Sequence, residues 1–380
     1  MKLIAVGTAF AGLFLSPALS ARSDRLVTEI APTRTLSHVE EFNWFGGEDD
    51  FSAGISFADF DGDGDLDIAN VNGRHWPVAD MLLLNNGKGR FPMAAEIGAW
   101  RTTGYGGCPA DIDNDGDMDL LVPRDWLPVA VFRNDGTGHL ADAGEIGEAG
   151  HARSCATPDL NNDGVADLLI ADRGGASFVA YGPLSPHTAT HQLADVPAIG
   201  VSAGDLNGDG KADIVLALRG GATLAILFAG ETGYGTPVLV GSEKHESRSV
   251  ALADWDGDGD LDLVTAILSG SNQVYLNRDG EFDRAVIIGP PGEVSAGVRV
   301  ADLDADGRVD AVFAKRTPMI STLAISMATA CPISALLILT PPTRCFSSSQ
   351  PETRNETRHP QEWRPRWPPC RRLERPHQMH

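Results

Sequence analysis

Cysteine is scarce in this chain. Its 380 residues include five cysteines, with neither the paired spacing of a zinc site nor a disulfide framework. Cys108 and Cys155 lie three and four residues before two similar acidic segments, so they are expected to be close in space. Two states are open to them, a disulfide or a pair of buried thiols that act as small apolar side chains, and the sequence favours the thiols.

Positive charge is also scarce. Lysine and arginine number 30 against 52 aspartates and glutamates, which gives a formal net charge of -22. Nucleic acid is therefore not expected as a partner, because phosphate binding depends on clustered Lys and Arg. The length of the chain does not demand two domains, since a toroidal repeat fold can use all of it as one.

A long hydrophobic span is missing from the N-terminus. The apolar run from Leu3 to Leu15 is too short to cross a bilayer, and it follows Lys2 and precedes the small-residue pattern Ala18-Leu19-Ser20. That order is typical of a secretory signal peptide, here residues 1–20. The alternative is a buried first strand or helix. The signal peptide predicts export, to the periplasm, the cell surface or the medium.

What the sequence has in excess is an acidic segment of nine residues. It starts at residues 59, 111, 159, 205, 254 and 302, at intervals of 46 to 52 residues, close to the length of a four-stranded propeller blade. We call these segments acidic loops one to six. Positions 1, 3, 5 and 9 are Asp or Asn in every copy and position 6 is always Gly, whereas position 7 varies.

Such a loop offers the all-oxygen shell that Ca²⁺ prefers, with side chains at positions 1, 3, 5 and 9 and the backbone carbonyl at position 7. Mg²⁺ fits less well because it demands a tighter octahedron. Solvated turns without an ion are the alternative, and the repulsion between three or four adjacent carboxylates argues against them. We therefore predict up to six calcium ions. The candidate metal residues are Asp59, Asp61, Asp63, Asp65 and Asp67 in loop one; Asp111, Asp113, Asp115, Asp117 and Asp119 in loop two; Asp159, Asn161, Asp163, Val165 and Asp167 in loop three; Asp205, Asn207, Asp209, Lys211 and Asp213 in loop four; Asp254, Asp256, Asp258, Asp260 and Asp262 in loop five; and Asp302, Asp304, Asp306, Arg308 and Asp310 in loop six.

The loops are expected to join strands and not the helices of a helical calcium hand, since position 12 never carries the closing Glu. Position 2 is large and apolar, and runs such as 168–171 and 214–217 are typical of short strands buried on both faces. Asn-Gly or Asp-Gly pairs at 86–87, 135–136 and 279–280 predict hairpins. Each repeat should therefore run strand, calcium loop, strand, loop, strand, hairpin, strand.

The pattern Asp-x-Asp-x-Asp-Gly-x-x-Asp in repeats of this length resembles the FG-GAP/VCBS repeat family, over roughly residues 50–314. The resemblance implies an all-β fold similar to the integrin α-subunit head, a β-propeller of four-stranded blades with calcium loops on one face. Six recognisable repeats predict six or seven blades, the last of them incomplete. Because the family includes adhesion modules, lectins and propellers attached to polysaccharide-degrading enzymes, it specifies the fold better than the function.

The repeat pattern stops near residue 316. No Gly follows Gly307 and no Asp follows Asp310, whereas ten Lys or Arg lie from Lys315 onward. After the signal peptide we therefore distinguish a segment 21–50, a candidate for a ring-closing strand, the propeller 51–316, and a tail 317–380. The tail is interpreted as aberrant or disordered, the product of a frameshift, with a weak membrane anchor over 319–340 as the alternative. Membrane association is expected only through this tail.

Arginine recurs 13 to 15 residues after the start of every loop except the fifth, and Arg316 is the last of these residues. In blade geometry these positions fall at the far end of the second strand, opposite the calcium loops. Guanidinium groups bind carboxylate or sulfate, and exposed indoles stack on sugar rings, so an acidic glycan or protein is a plausible ligand. The alternative is that each Arg pairs with an Asp of its own or the adjacent blade. The candidate ligand residues are Arg74, Trp76, Arg124, Trp126, Arg173 and Arg219.

Convincing catalytic motifs are lacking. The segment from Gly200 to Gly204 matches a nucleophile elbow around Ser202, but that elbow needs a strand-to-helix turn, and this segment is expected to be a strand. His187 and His191 are the best other candidates, and no partner is apparent for them. We expect an exported, calcium-binding, non-catalytic binding or adhesion module for an extracellular glycan or protein. The competing interpretation is the propeller scaffold of a carbohydrate-active enzyme of lyase or hydrolase type.

Overall fold

Strands and connecting loops make up the part of the chain that the structure describes. A computed structural model describes residues 52–315, apart from 221, 232, 243–244, 291 and 304–305, together with 325–326. These residues contain 23 strands and no helices, which confirms the all-β prediction. Among them, no helix has the length and apolar character needed to cross a membrane. The predicted signal peptide, the segment 21–50 and almost all of the tail lie outside the described residues.

The strands form six sheets in chain order, five with four strands and one with three. Sheet 1 contains β1 (Ser52–Ala58), β2 (Asp67–Asn72), β3 (Val78–Leu84) and β4 (Met93–Thr102), and sheet 2 contains β5 (Cys108–Ala110), β6 (Asp119–Val122), β7 (Val129–Arg133) and β8 (Ala141–Ile146). Sheet 3 contains β9 (Ala152–Ala156), β10 (Leu168–Asp172), β11 (Phe178–Ala180) and β12 (Thr190–Gln192), and sheet 4 contains β13 (Ala198–Gly204), β14 (Asp213–Leu218), β15 (Leu224–Leu227) and β16 (Val238–Val240). Sheet 5 contains β17 (Ser247–Ala253), β18 (Asp262–Ile267), β19 (Gln273–Arg278) and β20 (Glu281–Ile287), and sheet 6 contains β21 (Ser295–Ala301), β22 (Asp310–Lys315) and β23 (Ile325–Ser326).

Each strand pairs antiparallel with the next one in its sheet, and each acidic loop joins the first strand to the second. In sheet 1 the loop closes between Ala58 and Asp67, which are direct partners in the ladder. The predicted hairpins join the third strand to the fourth in sheets 1, 2 and 5. The predicted order of elements is therefore correct. We call the end of a sheet that carries its acidic loop the loop end, and the opposite end the distal end.

The hydrophobic core lies between the sheets. The second strands of all four-stranded sheets are buried along their whole length, and those of sheets 2 to 5 have a neighbouring sheet on each face. Five clusters of buried hydrophobic side chains join consecutive sheets, such as the one that contains Val71 of sheet 1 and Leu120 of sheet 2. The sheets therefore stack face to face in chain order.

Cys108 and Cys155 form a disulfide, so the prediction of two buried thiols was wrong. Cys108 begins β5 and Cys155 lies in β9, which are the first strands of neighbouring sheets, and their Cα atoms are 6.1 Å apart. The bond forms because these two strands pack side by side, and the two cysteines lie at nearly the same distance along the chain from their acidic loops. The predicted proximity of the two residues was correct.

Sheet 6 has a third strand of only two residues, Ile325–Ser326, which pairs with β22. No fourth strand of this sheet lies in the described residues. An incomplete last blade was expected, because the Gly and Asp residues that supply turns elsewhere are missing after Asp310.

Candidate metal centres and a second candidate site

All six acidic loops fold with the same hydrogen bonds. The N–H of the position 6 glycine donates to the position 1 carboxylate at 2.8–3.1 Å, as from Gly64 to Asp59. The N–H at position 7 donates to the position 5 carboxylate at 2.9–3.1 Å, whatever the side chain at position 7. The glycines have φ values between 81° and 103°, a left-handed conformation that Gly adopts without a steric penalty. The main chain thus orients the acidic side chains inward.

The aspartate at position 9 is buried and holds the loop to the rest of its sheet. In loop five, Asp262 Oδ2 accepts from the N–H of Trp255 at 2.8 Å, and Oδ1 accepts from the N–H of Asn277 at 2.7 Å. The first bond recurs in all six loops and the second in loops one to five. Since a carboxylate oxygen has two lone pairs, each oxygen can still bind a cation.

Carboxylate oxygens converge in three of the loops. In each of them, one oxygen from each of three aspartates lies within 4.8 Å of the others: Asp59, Asp61 and Asp67 in loop one; Asp111, Asp113 and Asp115 in loop two; and Asp254, Asp256 and Asp262 in loop five. Asp59 Oδ1 is buried without a hydrogen-bond partner. An unpaired buried oxygen is costly, and a hard cation at this point would complete its coordination. The residues present therefore fit calcium.

The electrostatics of the loops also favour a bound cation. Burial, followed by the charge of Asp67, raises the pKa of Asp61. Burial likewise raises the pKa of Asp262 to about 6, helped by the charges of Asp256 and Asp258 and opposed by two backbone N–H groups. A raised carboxyl pKa means that the environment of the loop disfavours the ionised form of the carboxyl group. A divalent cation among these oxygens would reverse that effect.

The loops also differ in which side chains already contact their carboxylates. In loop three, Asn161 Nδ2 donates to Asp163 at 2.9 Å. In loop two, the Arg133 guanidinium contacts Asp113 and lies 3.3 Å from Asp119, so a cation of the protein already offsets part of the negative charge. Sequence reasoning missed this contact because Arg133 belongs to the third strand of the sheet. Asp304 of loop six lies outside the described residues.

The predicted arginines lie at the distal ends but do not form a uniform ring. Arg124 is buried and contacts Glu145 of its own sheet, and its Nε donates to the Pro128 carbonyl at 2.8 Å. Arg219 lies 3.8 Å from Glu246, directly before the first strand of the next sheet. These two arginines follow the ion-pair alternative, with Glu in place of the expected Asp. Arg316 lies outside the described residues.

Arg74 and Arg173 behave differently, since neither has an ion-pair partner among the described residues. Their backbone N–H groups donate to Gly104 and His151 at 3.0 Å each. The two tryptophans that follow the first two arginines are largely exposed, Trp76 by 64% and Trp126 by 69%. The sequence-predicted ligand residues therefore divide into a paired set and an unpaired set.

A hydrogen-bonded network that sequence reasoning missed connects the distal ends of sheets 1 to 3. Buried Asp125 accepts from His151 Nδ1 at 2.8 Å, Arg153 Nη1 at 3.0 Å and His75 Nδ1 at 3.1 Å. Burial alone would raise the pKa of Asp125, but the bonds from these three side chains outweigh it and lower the pKa. The Tyr105 hydroxyl lies 3.1 Å from His75 Nε2, and the Arg153 guanidinium lies 4.0 Å from the centre of the tyrosine ring.

The remaining sequence candidates lie elsewhere. Ser202 is in the middle of β13, as expected for a strand that enters an acidic loop. The His191 ring lies 5.5 Å from the Tyr181 ring, and the backbone N–H of His187 donates to the Ser185 hydroxyl. The signal for the missed network was the pair of matching tripeptides Arg-His-Trp at 74–76 and Arg-Asp-Trp at 124–126.

A family model described as an FG-GAP-like repeat matches three overlapping segments of the chain, residues 159–216, 205–265 and 254–313. Each match begins at one acidic loop and ends in the strand that follows the next loop, so the three together cover loops three to six. The match confirms the resemblance seen in the sequence. A comparison with curated proteins found no match to this chain.

Several solved structures are similar to the chain at low identity. The crystal structure of the V. cholerae biofilm matrix protein Bap1 is 17% identical over 67% of this chain, with a TM-score of 0.44, and this chain spans 42% of that structure. The computationally designed Ika8 protein is 9% identical, with 73% of this chain and 71% of that one covered and a TM-score of 0.46. BBS1N, solved in complex with ARL6DN, is 10% identical, with coverages of 70% and 75% and a TM-score of 0.45.

Proposed function

We propose that the protein, whose residues 159–313 match the FG-GAP-like repeat model, is an exported, calcium-binding β-propeller. In this proposal it acts as a non-catalytic binding or adhesion module for an extracellular glycan or protein. The stack of six sheets, joined face to face through five cores, supports a ring of blades. The acidic loops then hold up to six calcium ions at one end of the blades.

The observation that carries the calcium proposal is the buried, unpartnered Asp59 Oδ1 within a cluster of converging carboxylates. Asp59, Asp61 and Asp67 would hold the ion in loop one, and the residues at the same positions would do so in the other loops. A bound calcium ion supplies the positive charge that the loop lacks. In this proposal the ion stabilises the fold and does not take part in a reaction.

Export is supported by the disulfide between Cys108 and Cys155, since such bonds persist in oxidising compartments. The N-terminal apolar run with its small-residue cleavage pattern points to the same compartment. The two features are independent of each other. Together they favour the periplasm, the cell surface or the medium.

Chelation tests the calcium proposal. Ions that bind only the folded protein stabilise it by about 2.7 kcal/mol per site at a hundredfold excess over Kd, so EDTA should lower the melting temperature sharply and calcium, more than magnesium, should restore it. Asp59→Asn should reduce the response to calcium, because loop one loses a carboxylate. Asp135→Asn is the charge-matched control, since Asp135 is exposed and lies in a hairpin outside the loops. A melting temperature that ignores EDTA would refute calcium binding.

A carbohydrate-active enzyme is the second candidate, because the network around Asp125 collects ionisable side chains beside two exposed tryptophans. Both oxygens of Asp125 are already bound by His75, His151 and Arg153, an arrangement that positions side chains without leaving this carboxylate free. The enzyme candidate predicts that a bound polysaccharide is cleaved. Appearance of new reducing ends, or of unsaturated sugars detected by ultraviolet absorbance, would replace the non-catalytic proposal.

A further inference from the structure

Five short segments at the distal ends of sheets 1 to 3 form one connected surface. They are residues 73–76, 103–105, 124–126, 150–153 and 173, and we call them together the distal surface. Four backbone hydrogen bonds join them in series: Arg74 N–H to Gly104 O at 3.0 Å, Asp125 N–H to Thr103 O at 3.1 Å, Trp126 N–H to Gly150 O at 2.7 Å, and Arg173 N–H to His151 O at 3.0 Å. Side chains from three different repeats are therefore held in a fixed relation to one another.

Two residues of the distal surface have a strained backbone. Five non-glycine residues in the described part of the chain have positive φ, and three of them are Asn or Asp, which tolerate the left-handed region. The other two are Arg74, at 53°, and Trp126, at 66°. Unlike the side chains of Asn and Asp, those of Arg and Trp do not stabilise the left-handed conformation by a hydrogen bond to the nearby backbone. The surrounding fold must therefore impose it. Strain of this kind concentrates at functional sites.

The distal surface also exposes two indole rings, and its Arg74 and Arg173 have no ion-pair partner in the part of the chain that the structure describes. Trp76 and Trp126 expose most of their apolar surface to water, which is unfavourable. Packing within the fold does not account for their exposure. The backbone of Arg74 is bonded to Gly104, next to Tyr105, and the backbone of Arg173 is bonded to His151, so both arginines are anchored to the segments of this surface. This arrangement occurs in a chain with a net charge of -22, in which carboxylates to pair with these arginines are abundant.

Two carboxylates are buried and committed to internal bonds, that of Asp125 within the distal surface and that of Asp172 next to Arg173. Asp125 binds two histidines and Arg153, as described above. Asp172, at the end of β10, accepts from the N–H groups of His151 at 2.5 Å and Gly174 at 2.6 Å. Asp125 thus holds Arg153 and the two histidines, and Asp172 binds backbone N–H groups, so neither carboxylate forms an ion pair with Arg74 or Arg173. The half-exposed Glu145, beside this surface, contacts Arg124.

We propose that the distal surface binds a saccharide that carries carboxylate or sulfate groups. Arg74 and Arg173 bind the anionic groups, and Trp76 and Trp126 stack on the sugar rings. The proposal rests on the function as a binding module and specifies its ligand class and its site. It confines recognition to sheets 1 to 3, because Arg219, at the corresponding position of sheet 4, lies beside Glu246. Within sheets 1 to 3, Arg124 contacts Glu145 and is not assigned to the ligand.

Binding should be measured with tetragalacturonate and with the same tetrasaccharide after reduction of its carboxyl groups, by calorimetry and tryptophan fluorescence in saturating calcium. A sulfated tetrasaccharide distinguishes sulfate from carboxylate as the preferred group. We expect Arg173→Gln and Trp126→Ala each to weaken binding by about tenfold or more. Arg219→Gln, at the same position of the next repeat, is the matched control and should bind as the wild type does. Trp76→Ala is a second test, because an exposed side chain can be removed without loss of folding.

The outcomes separate the ligand from the site and from the calcium proposal. Equal affinity for the carboxyl-reduced sugar would overturn an acidic ligand, and an equal loss in Arg173→Gln and Arg219→Gln would overturn the confinement to sheets 1 to 3. Poly-glutamate that binds as tightly, independently of Trp126, would show an acidic protein as the ligand. If no anionic sugar binds while EDTA still lowers the melting temperature, the ligand class is wrong and the calcium proposal stands.

Discussion

Asn277 ties two acidic loops together, and its replacement by alanine should destabilise the protein. The side chain is fully buried, and its Nδ2 donates to the carbonyl oxygens of Leu206 at 2.8 Å and Leu261 at 3.0 Å. Its Oδ1 accepts from the N–H of Gly280 at 2.9 Å. Leu206 is position 2 of loop four and Leu261 is position 8 of loop five, so one amide joins neighbouring repeats. Asn277→Ala would leave all three of these backbone groups unpaired.

The expected loss of stability follows from the three broken bonds. A buried polar group left unpaired costs about 1–3 kcal/mol, and with two of the bonds partly accessible we expect a total of about 3 kcal/mol. For a domain of this size that is a fall of roughly 6–12 °C in melting temperature. Thermal and urea unfolding in saturating calcium would measure it.

The matched control for this prediction is Asn85→Ala. Asn85 holds the equivalent place after the third strand of sheet 1, but within the described residues its Nδ2 donates to Leu66 of its own repeat alone, in an exposed bond at 3.0 Å. Its Oδ1 accepts from the N–H groups of Gly87 and Gly89 at 3.2 Å each, again in exposed bonds within the same repeat. Because water can replace all three exposed bonds, their removal should cost about 1 kcal/mol in total. If Asn277→Ala proves no more destabilising than Asn85→Ala, hydrogen bonds between repeats do not stabilise the stack as we infer.

Three further predictions concern single features of the fold. Loops three and four carry Asn161 and Asn207 in place of an Asp, so NMR of the position 6 glycine amides during a chelator titration should show these two loops emptying first; if they empty last, carboxylate number does not rank the sites. Replacing both bonded cysteines by serine removes a link across 47 residues and should lower stability by about 2–4 kcal/mol, whereas an unchanged urea midpoint would argue against the disulfide. Burial raises the pKa of Asp80 to about 7, although the Asn72 N–H and Arg124 oppose this effect. Between about pH 4 and pH 7 the folded chain therefore keeps a proton that the unfolded chain releases, and the free energy of unfolding should fall as the pH rises through this range. Unfolding of Asp80→Asn in saturating calcium should lack this part of the pH dependence, and an unaltered slope would show that Asp80 is ionised in the fold.

The strand order could be predicted because the repeat makes each local pattern visible six times. Position 6 is Gly in every loop since the turn needs a positive φ, and position 9 is Asp since its buried carboxylate binds backbone N–H groups on two sides. Constraints of this kind act within one repeat and leave a periodic trace in the sequence. The loops, strands and hairpins were therefore accessible without a structure.

Contacts between repeats left a weaker trace. Asp125 meets His75 and His151, which lie 50 and 26 residues away. His75 and Asp125 are the middle residues of the two matching tripeptides, but that match does not show that they touch, and His151 lies outside it. The disulfide depended on how closely the first strands of sheets 2 and 3 pack, which spacing along the chain does not specify. The arginine period located Arg124 correctly but could not show that Glu145, on the fourth strand of the same sheet, neutralises it.

The two ends of the sheets differ in how uniform they are, and this difference bears on where a ligand binds. At the loop end the same hydrogen bonds recur in all six repeats, which is what a stabilising feature of a repeat protein should do. At the distal end the pattern breaks: Arg124 and Arg219 lie near glutamates, while Arg74 and Arg173 remain unpaired among the described residues. A feature needed for folding would recur in every repeat. Unpaired arginines and exposed tryptophans that occur in only some repeats therefore indicate a role other than folding. Arg173 and Arg219 share a repeat position and differ in their surroundings, and for that reason their comparison tests whether that role is ligand binding.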